Sequence, residues 1–415
     1  MGVYEDLGIT PLINAAGFKT RLGGAALPAD VIDGMSAAAG ATVDIAVLQA
    51  RASEIIARAT GAEAGYVTCG AAAALTLAAA ACITRLDVKK IDALPDTHGM
   101  PNEIIIYRAH RNSYDHALRA AGGKLIEVGL NDRGVGAGVR SLEAWEVEAA
   151  ITDRTAAVAY VVTTPEDPPL PIVTEAAHRR AVPVIVDAAA QLPPRENLRR
   201  FIAQGADLVA FSGGKGLRGP QASGFLCGRK ELVQSVALNH LDFDIDLKLT
   251  TPPLDLIPVD RLPGLPHHGI GRGFKVGKEE IIGFLVALRK FAELAGGGEE
   301  TKRVRRLAEE IARDISRGRA VDLEIAGPPE APEIHIDFQD PESAASAYRL
   351  LAQGNPPVIV SEELLAQGKL VIFVATVRED QAQPLAAAVG RALSARGSRA
   401  AGEEGDLRPV RKRSP

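Results

Sequence analysis

Short apolar runs recur along the first two-thirds of the chain, each followed by a segment of helical periodicity. The runs at 64–68, 103–107, 124–128, 156–162, 182–186, 207–211 and 223–227 are too short for helices. Turn-forming or polar residues bound them, which predicts strands. The segments at 71–83, 114–121, 142–151, 173–180, 194–204 and 229–237 predict helices between them. Because the strand runs are apolar rather than alternating, both sheet faces are expected to be covered. That is the pattern of an α/β fold with a mostly parallel sheet.

The flanks read differently. Residues 1–60 hold a loop at Asn14-Ala15-Ala16-Gly17 and two helical stretches, the second N-capped by Asp44 and running to Thr60. Residues 238–275, rich in Pro, Gly, His and Asp, look irregular. An amphipathic helix at 278–294, a break at Ala295-Gly296-Gly297-Gly298 and a helix at 300–317 follow. Strand and helix then alternate at 333–338, 342–352, 357–360, 369–374 and 380–395, a small α+β domain. The expected organisation is an N-terminal segment (1–60) packing on a large domain (61–277), then a linking helix and small domain (278–396), then a disordered tail (397–415). No internal repeat stands out.

Composition narrows the function classes. With 415 residues, 47% hydrophobic and 4% aromatic, the chain has the makeup of a soluble globular enzyme. A net charge of −5 offers no general basic surface for nucleic acid, although the last eight residues are arginine-rich. Cys69, Cys82 and Cys227 show neither disulfide nor zinc spacing. Glu5 and Asp6 interrupt any signal-like N-terminus, and the apolar run 71–83 is shorter than the ~20 residues a membrane helix requires. A cytoplasmic protein with no membrane partner is expected.

The chemistry concentrates at Phe211-Ser212-Gly213-Gly214-Lys215-Gly216-Leu217, directly after a strand, while another strand upstream ends in Asp187. A lysine on an open glycine loop can reach an aldehyde, and a carboxylate at a strand end can hold a pyridinium proton. Together they are what pyridoxal 5'-phosphate (PLP) requires. The loop is not a nucleotide-binding P-loop, since Val209 and Gly216 stand where Gly and Ser or Thr are needed. Cys69-Gly70-Ala71, between a strand and a helix, form a candidate phosphate turn to which Ser212 can add a hydroxyl. His110 is the first choice to stack on the ring, with Tyr114 and His116 as alternatives, and Gln191 is a candidate partner for the phenolic oxygen. Gly134-x-Gly136-x-Gly138 fails as a dinucleotide fingerprint, because Val139 stands where the last glycine belongs. The adjacent His267 and His268 lack metal-ligand partners at helical spacing, so no metal is expected. Arg272 and Lys275, in a mobile-looking glycine-punctuated stretch, suit an anionic group, and Arg378 suits a substrate carboxylate.

These blocks resemble fold-type I PLP enzymes, and more narrowly the selenocysteine synthase-like (SelA-like) group. The resembling stretches are Ile13–Gly17, Thr68–Ala73, Arg108–Asn112, Val186–Pro194, the lysine loop through Gly224, and Gly271–Glu280. The resemblance implies a seven-stranded sheet, a small C-terminal domain and a homodimer or higher homo-oligomer with sites at the subunit interface. It implies Lys215 as the cofactor-bearing lysine and Asp187 as the pyridinium partner. The ammonia-lyase members of the group imply an anionic amino acid or amino sugar acid as substrate, with loss of a 3-hydroxyl. Selenocysteine synthase proper acts on a seryl-tRNA, and this chain shows neither an evident tRNA-binding N-terminal domain nor a basic charge. Racemase, aldolase and aminotransferase chemistry remain open on the same residues, as does a non-catalytic relative of the fold.

Overall fold

The computed structural model describes residues 2–132, 134–246, 248–249, 251–293, 298–318 and 321–400, with backbone only for 395–400. The chain divides into two compact units. One comprises residues 27–294, and the other joins residues 1–26 to the chain from 295 onward.

The first strand, β1 (Ile13–Ala15), belongs to the smaller unit. The larger unit carries β2 (Ala64–Thr68), β3 (Glu103–Tyr107), β4 (Lys124–Val128), β5 (Thr155–Val161), β6 (Val184–Asp187), β7 (Leu208–Ser212) and β8 (Gly224–Gly228). They form one sheet in the order β2-β8-β7-β6-β5-β3-β4. Strand β8 runs antiparallel to both neighbours and the other six share one direction. The expected fold class is therefore met. Two apolar layers sandwich the sheet, one built on residues such as Ile56, Val186, Phe211 and Phe284, the other on Leu77, Ile106, Ile185 and Val236. The helix Gly70–Thr84 is apolar on every side, and every residue from Ala73 onward is buried. That follows from a position between the sheet and further helices.

The smaller unit contains β9 (Asp322–Ala326), β10 (Glu333–Asp337), β11 (Val358–Val360) and β12 (Lys369–Phe373). Strands β12-β10-β9 form an antiparallel sheet, and β1 pairs in parallel with β11. This corrects two expectations. Residues 1–26 belong with the C-terminal unit because Ile13, Asn14 and Ala15 pair with Val358, Ile359 and Val360. The helix Lys278–Glu293 belongs to the larger unit, where Gly283 lies close under Met35 and Gly34 under Val286. Asn14-Ala15-Ala16-Gly17, expected as a loop, is a strand leading into a turn. The Asn14 side chain donates to the carbonyls of Gly17 (3.0 Å) and Gly24 (2.7 Å), and the Asn14 carbonyl accepts from Thr376.

Helix Ala382–Ala400 runs past the expected boundary at 396. Its one proline, Pro384, lies in the first turn, where it is tolerated, and none falls near residue 396. The remaining expected tail and the Ala295-Gly296-Gly297 part of the break lie outside the described residues.

Candidate active site

The sheet register assembles the site at one edge. Asp187 closes β6 and lies opposite Ala210 of β7, so the chain reaches the Lys215 loop a few residues beyond it. The first residue of β8, Gly224, pairs with Thr68 on one side and Ser212 on the other. Three strand ends are thus aligned at the carboxyl edge of the parallel strands, where open α/β sheets bind ligands.

Glycine makes this alignment possible. A Cβ on Gly224 would lie 2.7 Å from the Ala71 nitrogen and closer still to the Gly70 carbonyl carbon. Only a residue without a side chain lets β8 start against the first turn of the Gly70–Thr84 helix. The space beside Gly70 is open, and no side chain caps that helix end. Uncapped amide groups with the positive end of the helix dipole make this end a candidate anion seat. Cys69 is half-buried beside it. The Ser212 hydroxyl, half-buried at the end of β7, makes no hydrogen bond among the described residues.

The lysine loop is equally enclosed. Gly213 donates to the Ser223 carbonyl (2.9 Å) and Gly219 to the Gly213 carbonyl (2.9 Å). A Cβ on Gly214 would press on the Gln221 backbone at 2.7 Å, and one on Gly216 would run into the Leu192 carbonyl. Held this way, Lys215 is half-buried and makes no ion pair or hydrogen bond through its amine among the described residues. Burial pulls its pKa down, and the nearby Asp187 only partly offsets this. Burial likewise pushes the Asp187 carboxyl up, against the opposing pull of the Ala189 N–H (3.0 Å) and Lys215. The two groups feel each other without being clamped into a salt bridge.

Asp187 also lines a small pocket with Asn112, Tyr114, Asp115, Tyr160 and Val161. His110, the first choice for stacking, is only 3% exposed. Its Nδ1 accepts from the Val161 N–H (3.4 Å) and its Nε2 donates to the Asp167 carbonyl (3.0 Å). Its ring lies edge-on to Tyr107 and Tyr160, and burial lowers its pKa. This is a pinned, neutral ring. The alternative Tyr114 is 60% exposed and lines the cavity with Asp187, whereas His116 binds Arg119 at the surface. The Gln191 amide donates to the Val162 carbonyl (3.3 Å), holding it at the end of β5.

Arg272 and Lys275 line a separate groove in the same unit. Arg272 is bound to Asp242 (2.7 Å), while exposed Lys275 has no ion-pair partner among the described residues. Their stretch was expected to be mobile. It is instead a 3-10 turn, Ile270–Phe274, seated on a helix end. Arg378 lies in the smaller unit with Nε and Nη2 bound to Asp380 (2.9 and 2.7 Å), so any substrate carboxylate there must compete with Asp380. His267 binds Asp92 through Nδ1 (2.9 Å), and no metal-ligand cluster occurs among the described residues. Sequence reasoning missed Thr68 and Gly224. Their signal was the pairing of β2 with β8, which no local pattern encodes.

An anion seat, an unpaired lysine and a carboxylate at one sheet edge fit PLP, and similarity to known proteins agrees. Residues 12–248 match the family described as SelA: L-seryl-tRNA selenium transferase. The chain is 30% identical over 400 residues (91% of this chain, 97% of the relative) to D-glucosaminate-6-phosphate ammonia lyase of Salmonella typhimurium. It is 32% identical over 379 residues (88% and 82%) to 5'-C-glycyluridine monooxygenase-decarboxylase of a Streptomyces species. A solved D-glucosaminate-6-phosphate ammonia-lyase superposes with a TM-score of 0.76 at 26% identity, covering 95% of this chain and 99% of that one. The serine palmitoyltransferase of Sphingomonas wittichii shares the fold at a TM-score of 0.53 and 11% identity, over 93% of this chain and 88% of that one. The chain therefore belongs to the SelA family of PLP-dependent, fold-type I enzymes.

Proposed function

We propose that this PLP-dependent lyase converts an anionic 2-amino-3-hydroxy acid, of the D-glucosaminate 6-phosphate kind, to a 2-keto acid and ammonia. The observation that carries the reading is the Lys215 amine, biased toward its neutral form and left unpaired beside Asp187. The likeness to the ammonia lyase over nearly the whole of both chains supports it.

Lys215 is the attachment point for the cofactor and Asp187 the partner of its ring nitrogen. The turn Cys69-Gly70-Ala71 with Ser212 suits its phosphate, Gln191 its phenolic oxygen, and His110 or Tyr114 the ring face. When bound there, PLP supplies an electron sink for charge developing at the substrate C2. The Lys215 amine, once free, takes the C2 proton as general base, a role that its lowered pKa favours. The C2–H bond breaks, its electron pair forms the C2–C3 double bond, and the 3-hydroxyl departs with a proton as water. The resulting enamine takes up that water to give the 2-keto acid and ammonia. Arg272, Lys275 and Arg378 are the candidates for the acidic groups of the substrate. A cytoplasmic homodimer or higher homo-oligomer is the proposed working form.

The monooxygenase-decarboxylase relative favours a second reading, oxidative decarboxylation. One assay separates the two. Holoenzyme with D-glucosaminate 6-phosphate should release equimolar keto acid and ammonia without consuming oxygen. Oxygen uptake with carbon dioxide release from an amino acid substrate, and no keto acid, would sink the lyase reading.

A further inference from the structure

Within the larger unit, the segment from Gly269 to Val276 meets a buried histidine that hydrogen-bonds its backbone. His240 ends the helix Lys230–His240 and is 4% exposed. Its Nδ1 lies 2.9 Å from the hydroxyl of Tyr66, which is wholly buried in β2. Its Nε2 lies 3.3 Å from the Phe274 carbonyl. A carbonyl only accepts, so Nε2 carries the proton and Nδ1 accepts from Tyr66. The tautomer is thereby set, and both ring nitrogens are used.

Two glycines complete the fit. A Cβ on Gly271 would lie 2.7 Å from the Asn239 carbonyl oxygen and 2.9 Å from the His240 ring, and one on Gly269 would run into the Asn239 backbone. Gly273 faces open space. The segment thus lies backbone-to-backbone on the helix end, with the imidazole as its anchor. Tyr66 stands two residues before Thr68 in β2, so the anchor and the anion seat at Gly70 refer to one strand.

We infer that His240 is a positioning residue that fixes the Ile270–Phe274 turn to β2 and so sets where Arg272 and Lys275 face their groove. The value of that placement for substrate rests on the proposed role of these two cations. The anchoring itself does not.

The test uses full-length holoenzyme and the variants His240→Phe, Tyr66→Phe and His240→Gln, the last keeping a donor toward the Phe274 carbonyl. Amide hydrogen exchange is followed in peptides covering 269–276 and, as reference, 213–219. His240→Phe and Tyr66→Phe should speed exchange at 269–276 by about tenfold with the reference unchanged, as expected for loss of a buried hydrogen bond. His240→Gln should recover most of the protection. Unchanged exchange at 269–276 in a folded Tyr66→Phe or His240→Phe protein, or equal acceleration in both peptides, would overturn the inference. With D-glucosaminate 6-phosphate, KM should rise several-fold in His240→Phe while kcat holds. A kcat loss at constant KM also counts against it. If that compound is not turned over, the lyase reading fails and the exchange result still decides the anchor.

Discussion

The two glycine-rich basic segments, 213–224 and 269–277, look alike on paper and do opposite things. In both, glycines let backbone approach backbone. Around Lys215 the close packing leaves an amine near Asp187 but without an ion pair among the described residues, and withdraws it from much of the water, lowering its pKa. Around Arg272 the packing seats a turn whose charge remains at the rim, paired with Asp242. Glycine enclosure therefore builds a reactive group only where the enclosed charge is left without a partner.

Removing the isolated amine should have the largest effect. Lys215→Ala should abolish borohydride-stable attachment of PLP and cut turnover by at least the ~10²–10⁴-fold expected of a lost general base. Secondary structure by circular dichroism should not change. A variant that keeps full activity would end the contrast between the segments.

The glycines themselves come next. Gly224→Ala forces a side chain into the Gly70–Ala71 backbone and should cost about 1–3 kcal/mol in chemical unfolding, with weakened PLP affinity. Gly273→Ala faces open space and should change stability by no more than about 0.5 kcal/mol. Equal losses would show that enclosure does not distinguish these positions.

This contrast marks what could be read from the chain. Strand runs such as Ile104-Ile105-Ile106 are continuous and bounded, so the sheet was legible. Lys215 and Asp187 were legible because each sits at a strand end with its chemistry exposed in local order. The partnership of Gly224 with Gly70 was not, since it depends on two strands far apart in sequence meeting antiparallel. The hydrogen bonds of His110 were not legible for a related reason. A histidine after a strand says nothing about whether its ring will be spent on Val161 and Asp167. The joining of residues 1–26 to the C-terminal unit rests on a three-residue strand, too short to carry periodicity.

Acid should strike the anchored segment. Burial lowers the His240 pKa from 6.5 to about 4, so the unfolded chain binds a proton that the native state refuses. Its contribution is complete above pH 6.5 and is withdrawn as pH falls toward 4, about 3 kcal/mol over that window. Unfolding free energies measured across it should slope accordingly, and His240→Gln should flatten that slope. Asp187 carries the opposite sign. Its raised pKa makes the carboxylate a cost that grows as pH rises above the unfolded value of 3.8 and is complete above the folded one. Asp187→Asn should therefore stabilise cofactor-free protein near neutrality while impairing turnover. A lower melting temperature for that variant would contradict the burial argument.

The smallest effect should come from releasing Arg272. Its bond to Asp242 is partly exposed, with the carboxylate side chain 54% accessible, so the pair is worth at most about 1 kcal/mol. Asp242→Asn should leave stability nearly unchanged. Its consequence should fall on binding, because a guanidinium freed from its carboxylate joins Lys275 as a second available cation on the groove. Inorganic phosphate, measured by titration calorimetry, should then bind a few-fold more tightly, and added salt should erase the gain. No change in phosphate affinity would mean that Asp242 does not hold Arg272 back. The difference between the two segments would then lie in burial alone rather than in pairing.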